Sequence, residues 1–177
     1  MTDAKPDLGG YGSFGRGVTP AQAKDIEALG YGAVWVGGSR SAGAHPYLTT
    51  PEHTAQAREL VGGSVFLAPE HKVVLSTNAD EARELGRQSV GFYLDLSNYV
   101  NNWKRLGFTD DDVTKPGSDK LIDAVVAHGT ADAVAARLGE HLEAGGDHVT
   151  IQVLGGWDAL LPTLTELAGR LGLTARD

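Results

Sequence analysis

Short apolar runs and longer amphipathic stretches follow one another along the chain in a regular order. Residues 32–36, 72–76 and 148–154 are apolar runs rich in β-branched residues, a pattern typical of buried strands. Stretches of helical period fill the intervals, at 20–29, 51–61, 78–94, 97–106, 119–127, 131–144 and 158–171. Strands that alternate with helices predict an α/β fold built on a parallel sheet.

Local signals indicate where several of these helices begin. Thr19 precedes Pro20 and lies three residues before Gln22, which is the spacing of a capping box. Thr50 precedes a proline in the same way, and Thr130 is placed to cap a later helix. We therefore expect the helix starts to be set by these hydroxyl side chains.

The chain is short for a complete β/α barrel. It has 177 residues, whereas a closed eight-unit barrel takes about 250. A first strand is expected within Leu8–Gly17 and another short one at Ala44–Leu48, which gives about five parallel strands. Only residues 37–43 join the strand at 32–36 to the following units, and a parallel crossover needs about a dozen residues or more. The sequence thus predicts a single shortened TIM-like barrel, with first β/α units at 1–36, a junction at 37–43 and C-terminal units at 44–177.

Composition narrows the function classes. The net charge of −8 disfavours nucleic acid or an anionic membrane as a partner. The absence of cysteine excludes disulfides and thiolate chemistry, and the histidine spacing predicts no metal site. The N-terminal residues do not resemble a signal peptide, and no apolar run is long enough to span a bilayer. We expect a cytoplasmic protein.

Several sequence blocks resemble the luciferase-like monooxygenase family, and in particular its actinobacterial branch of F420-dependent oxidoreductases. The first block is Glu27-Ala28-Leu29-Gly30-Tyr31-Gly32-Ala33-Val34-Trp35-Val36. The later blocks include Gly43-Ala44-His45-Pro46-Tyr47, Thr50-Pro51-Glu52-His53-Thr54, Asn98-Tyr99-Val100-Asn101-Asn102-Trp103 and Gly145-Gly146-Asp147-His148-Val149-Thr150-Ile151-Gln152-Val153-Leu154. The resemblance implies a β/α barrel that binds F420 or FMN at the carboxyl ends of its strands. The family segment from the third to about the fifth strand, which carries most phosphate-binding residues, has no counterpart here.

The expected catalytic residues are His45 and Tyr47. They lie where a strand end meets the active-site mouth of a barrel, and a histidine there can exchange protons near neutral pH. The alternative is a structural histidine that bonds to the backbone while Pro46 shapes the turn.

Four residues are candidates for binding the cofactor. The resemblance implies that Ser13, Phe14 and Trp35 lie near the flavin, although a tryptophan in such a strand is more often part of the core. Ser39 follows two glycines, and their backbone amides suit an anion as well as they suit a tight connection.

A third group of residues predicts a substrate lid. Aromatic and amide side chains alternate with an arginine at Tyr93, Asn98, Tyr99, Asn102 and Arg105, which suits a clamp for an anionic group. The alternative is an amphipathic helix with its aromatic residues inward and its amides outward.

The remaining histidines are assigned no chemistry. His53 is expected at the third position of a helix, His71, His128 and His141 on the surface, and His148 at the stability face of the barrel.

Three functions remain open. The first is a shortened luciferase-like oxidoreductase that acts on a small molecule with F420 or FMN. The second is a cofactor-free binding protein or non-redox enzyme derived from that family. The third is an oligomeric structural or partner protein. In each case the open edges of a short sheet predict a homodimer.

Overall fold

The computed structural model of the chain describes residue 5 and residues 7–14, 18–35 and 43–174. Within these ranges the strands are β1 (Tyr11–Phe14), β2 (Val34–Trp35), β3 (Glu70–Val74), β4 (Val126–His128) and β5 (Val149–Val153). The α-helices are α1 (Pro20–Ala28), α2 (Pro51–Val61), α3 (Ala79–Val90), α4 (Ser97–Arg105), α5 (Asp110–Val113), α6 (Asp119–Val125), α7 (Ala131–Glu143) and α8 (Trp157–Arg170). A short 3-10 helix, Tyr93–Asp95, lies between α3 and α4.

The five strands form one parallel sheet in the order β2-β1-β5-β3-β4. Lys72 of β3 lies beside Gln152 of β5 on one side and Val126 of β4 on the other. In the described part of the chain, β2 and β4 are the two edge strands. The predicted α/β class and the number of parallel strands are confirmed.

Predicted and observed elements differ at two places that change the sheet. The helix expected at 119–127 ends at Val125, and the chain continues directly into β4. The strand expected at Ala44–Leu48 is a single bridge between Ala44 and Leu67. Pro46, in the middle of this segment, has no N–H to donate to a ladder. Its carbonyl accepts from the N–H of Glu70.

The helix starts follow the predicted caps. Thr19 forms a capping box with Gln22, each side chain bonding to the backbone of the other residue. The hydroxyl groups of Thr50 and Thr130 accept from the N–H three residues ahead in the same way. The local sequence alone therefore sets these three starts.

Apolar side chains pack on both faces of the sheet. One core lies between the sheet and α1, α7 and α8, and it includes Val73, Val149 and Ile151. The other lies over β3 and β4, beneath α3, α4 and α6. On the β1 and β5 half of that second face, polar and aromatic side chains replace the apolar ones, and this difference positions the candidate site.

Candidate functional site

The candidate site is the face of the sheet opposite α1, α7 and α8. Because side chains alternate along a strand and the register is fixed, alternate residues of β1, β3 and β5 line this face together. We call it the polar face, and its residues are Gly12, Phe14, Trp35, Glu70, Lys72, His148, Thr150 and Gln152. The segment that contains His45 and Tyr47 packs against it.

Trp35 and His45 form a stacked pair at one end of the polar face. Their ring centroids are 4.7 Å apart and their planes are 10° from parallel. The Nδ1–H of His45 donates to the carbonyl of Ala68 at 2.5 Å. The Nε2 atom of the same ring is buried and has no hydrogen-bond partner among the described residues. With the proton on Nδ1, this buried Nε2 is an acceptor held in a fixed position.

His148 fixes the indole of Trp35. The indole Nε1–H donates to His148 Nε2 at 3.0 Å, and His148 Nδ1–H donates to the carbonyl of Gly9 at 2.8 Å. Burial lowers the pKa of this imidazole. Gly12 makes room for the ring, since a Cβ there would lie 2.5 Å from His148 Nε2. His148 was expected to begin a strand at the stability face of the barrel, and it directly precedes β5. Its contact with Trp35 is not apparent from spacing.

Tyr47 connects this cluster to the charged centre of the sheet. Its ring contacts Phe14 and His45 edge-on, with both centroid distances 5.4 Å. The Lys72 ammonium lies 5.2 Å from the Tyr47 ring centroid. Phe14, Trp35, His45 and Tyr47, which were predicted separately, therefore lie together at one place.

A buried ion pair occupies the middle of the polar face. The side chains of Lys72 and Glu70 are 1% and 0% exposed, and their Nζ and Oε1 atoms are 3.0 Å apart. The Lys72 ammonium also donates to the side chain of Gln152, and Glu70 Oε2 accepts from the backbone N–H of Leu48 at 3.2 Å. Such a pair is retained only where hydrogen bonds offset the loss of hydration. Sequence reasoning missed it because charged residues in a short strand usually indicate exposure.

The predicted lid residues divide between two environments. The ring of Tyr93 lies 5.9 Å from the Lys72 ammonium, and Tyr99 packs on Tyr93 with centroids 4.8 Å apart. Burial raises the pKa of Tyr99, and Tyr93 and Glu70 add to the effect.

The polar members of the lid lie outward. Asn98 and Arg105 are exposed, and Arg105 donates to the side chain of Asn102 at 3.0 Å. The aromatic-inward, amide-outward arrangement weighed as an alternative thus describes α4.

Ser13 is not on the polar face. Ser13 alternates with Phe14 and lies on the opposite face, buried, with its Oγ unpartnered among the described residues. Ser39 lies outside the described residues.

The prediction that His71 and His141 lie on the surface is wrong. Both are fully buried, and their Nδ1 and Nε2 atoms, respectively, are 2.9 Å apart. His141 Nδ1 lies 2.8 Å from the hydroxyl of Thr54. Their burial follows from β3 being covered on both faces and from the inward face of α7, whereas the charged neighbours of His71 in the sequence, Glu70 and Lys72, gave no sign of it.

The other two histidines are partly buried. His53 lies at the third position of α2, as predicted, where its N–H donates to Thr50. His128 was expected on the surface; its side chain is 18% exposed and pairs with Asp123. Among the described residues no group of three or more His, Asp or Glu is arranged to hold a metal ion.

The chain matches no protein-family model, and no curated protein matches it. Within the residues described, no helix is both long and apolar enough to cross a membrane. The class that the structure defines is therefore an α/β protein with a five-stranded parallel sheet.

Proposed function

We propose that the chain is a shortened luciferase-like oxidoreductase that acts on a small molecule at the polar face, with F420 or FMN as its cofactor. The observation that carries the proposal is the meeting of Phe14, Trp35, His45 and Tyr47 around the buried Nε2 of His45, which has no hydrogen-bond partner in the described part of the chain. Aromatic surfaces with a few fixed polar atoms are typical of sites for planar heteroaromatic ligands.

The polar face fits the ring of such a cofactor better than its phosphate. Trp35 and Tyr47 are partly exposed and offer aromatic surface, and His45 Nε2 offers an acceptor for a ring N–H or a substrate hydroxyl. The buried cation of this face, Lys72, is already held by Glu70 and Gln152. We therefore assign only the ring to the described residues.

In this proposal the Nε2 atom of His45 accepts a proton from the substrate. Its Nδ1–H is bound to Ala68 and its ring is stacked on Trp35, so Nε2 has one direction in which to accept. F420 or FMN, when bound, supplies hydride transfer. The ion pair of Lys72 and Glu70 keeps a positive charge near the Tyr47 ring without adding net charge to the site.

The test is a titration of the purified chain with F420 and with FMN, followed by fluorescence and by calorimetry. We expect micromolar binding of one of them, weakened about tenfold in His45→Gln. His53→Gln is the matched control, because His53 lies on α2 and has no ring contact with the polar-face cluster. Absence of binding to both cofactors would end the redox proposal.

The second candidate is a cofactor-free enzyme or binding protein of the same descent. The buried pair of Lys72 and Glu70 favours it, since a fixed ammonium near the Tyr47 ring, which in turn contacts His45, suits proton transfer without a flavin. Failure of both titrations, together with stabilisation by a small carboxylic acid that is lost in His45→Gln, would favour this candidate.

We also propose that the sheet is part of an incomplete barrel completed by a second copy. The described sheet is open, with the two-residue strand β2 at one edge and β4 at the other. Leu60, Phe92 and Trp157 are 87%, 67% and 48% exposed, which is apolar area that a partner would cover. Light scattering at micromolar concentration should give a dimer mass. A monomer would reject this assembly and, with it, the third candidate, an oligomeric structural protein.

A further inference from the structure

A second candidate site lies in a groove bordered by α6 and α7. Two clefts of about 460 and about 210 Å³ share Lys120, Ala124 and Arg137 as lining residues, so they adjoin. We call this surface the α6 groove. The residues that line it do not belong to the polar face, so a ligand here would be independent of the function proposed above.

His128 lines the larger cleft. It is the last residue of β4, and ligand sites of parallel sheets lie at the carboxyl ends of strands. Its Nε2 lies 2.9 Å from Oδ1 of Asp123. Two hydrogen bonds from Arg83, at 2.9 and 2.6 Å, lower the pKa of Asp123 and keep it a carboxylate.

A carboxylate only accepts hydrogen bonds, so neutral His128 carries its proton on Nε2. Its Nδ1 then keeps a lone pair, and the described residues provide no hydrogen bond to it. The side chain is 18% exposed, which leaves the ring within reach of a ligand in the cleft.

Two cations flank the histidine. Arg137 is positioned by the Ala124 carbonyl at 3.1 Å and by Glu140, and it retains further N–H donors of its five. Lys120 is 60% exposed, 3.2 Å from Asp112 and 5.0 Å from the Phe108 ring centroid. Both cations line both clefts.

We propose that the α6 groove binds a small hydroxylated phosphate, with the phosphate on Lys120 and Arg137 and a hydroxyl group donating to Nδ1 of His128. A phosphate group matches two adjacent cations, and the lone pair of Nδ1 can accept from a hydroxyl group. Each cleft has one carboxylate, Glu52 in the smaller and Asp123 in the larger. Asp123 is neutralised by its two hydrogen bonds from Arg83, so the larger cleft is the better place for the phosphate. The larger volume is in the range of small-molecule sites.

The experiment follows the imidazole nitrogens of the full chain by NMR during titration with glycerol 3-phosphate, with calorimetry for affinity. We expect a shift of the His128 Nδ1 signal and a dissociation constant of roughly 1 mM or tighter. Inorganic phosphate should bind more weakly and leave Nδ1 unshifted, and glycerol should not bind. Equal affinity for phosphate and glycerol 3-phosphate would overturn the role of His128.

Variants separate binding from folding. Lys120→Gln is the decisive one, because the exposed Lys120 can change without loss of packing, and about tenfold weaker binding is expected. Arg170→Gln is the matched control, since Arg170 is exposed and pairs with Asp132 outside the groove. Equal binding by wild type, Lys120→Gln and Arg170→Gln would overturn the proposal, as would the absence of any His128 shift.

Discussion

The indole Nε1–H of Trp103 donates to the backbone carbonyl of Leu48 at 3.0 Å, and both residues are fully buried. Leu48 has a φ of 51°, a left-handed conformation that is rare for a leucine. Its N–H is bound by Glu70 as well. Two buried side chains therefore hold the turn that directly follows His45 and Tyr47, and α4 supports the candidate site through Trp103.

We expect Trp103→Phe to lower the free energy of unfolding by about 2–3 kcal/mol. The change leaves the buried carbonyl of Leu48 without its donor and removes part of a packed ring. Urea unfolding measures the loss. Asn101→Gln is the control, because Asn101 is an exposed residue of the same helix and should change stability by less than about 0.5 kcal/mol. Similar losses in the two variants would contradict the structural role of Trp103.

The distribution of the lid residues gives a second prediction. Arg105→Ala should leave the free energy of unfolding within about 0.5 kcal/mol of wild type, because Arg105 is exposed and, among the described residues, its hydrogen bond is to Asn102. Tyr99→Ala should destabilise the protein by about 1–3 kcal/mol, since its ring packs on Tyr93 and Trp103. Both are measured by urea unfolding, and F420 and FMN binding is measured in parallel. Weaker binding by Arg105→Ala at unchanged stability would support the lid, whereas unfolding of Arg105→Ala would contradict its exposed position.

The sequence predicted those features that local chemistry decides. The Thr19 cap follows from residue types a few positions apart, and the parallel direction of the strands follows from their alternation with helices. β4 was missed because Val125, Val126 and Ala127 continue the apolar pattern of α6, and a short apolar run suits either element.

The candidate site was predicted residue by residue but not as an arrangement. Phe14, Trp35, His45 and Tyr47 were each identified, whereas the contact of Trp35 with His148 depends on the register between β1 and β5. That register is a property of the assembled sheet. The need for a glycine at position 12 becomes clear only when His148 is known to lie against it.

The buried histidine pair predicts a loss of stability in mild acid. Burial lowers the pKa of His141 to about 4 and places that of His71 well below its usual value. Below about pH 6.5 both histidines are protonated in the unfolded chain but stay neutral in the native state. Their contribution to stability is therefore complete above that pH and falls towards pH 4.

Charged and titratable side chains around the two histidines also shift their pKa values. Arg137 and His53 lower the pKa of His141 further and Glu52 opposes them, while Arg137 and Lys72 act on His71. Urea unfolding at several pH values should show a loss on the order of 3 kcal/mol between pH 7 and pH 4 from His141, and the lowered pKa of His71 adds to this loss. His141→Gln should reduce that slope, and an unchanged slope would contradict the assignment.

The last prediction concerns the space that Gly12 leaves for His148. A Cβ at position 12 would lie 2.5 Å from His148 Nε2 and 2.8 Å from the backbone oxygen of Ala33. Gly12→Ala should therefore lower the free energy of unfolding by about 1–3 kcal/mol and alter the fluorescence of Trp35, whose Nε1–H is bound to that ring. Gly139→Ala, on α7 with no atom within 4 Å of its Cβ, is the control and should stabilise the helix by about 0.5–1 kcal/mol. Equal stability of Gly12→Ala and wild type would mean that β1 and β5 pack more loosely than the described register requires.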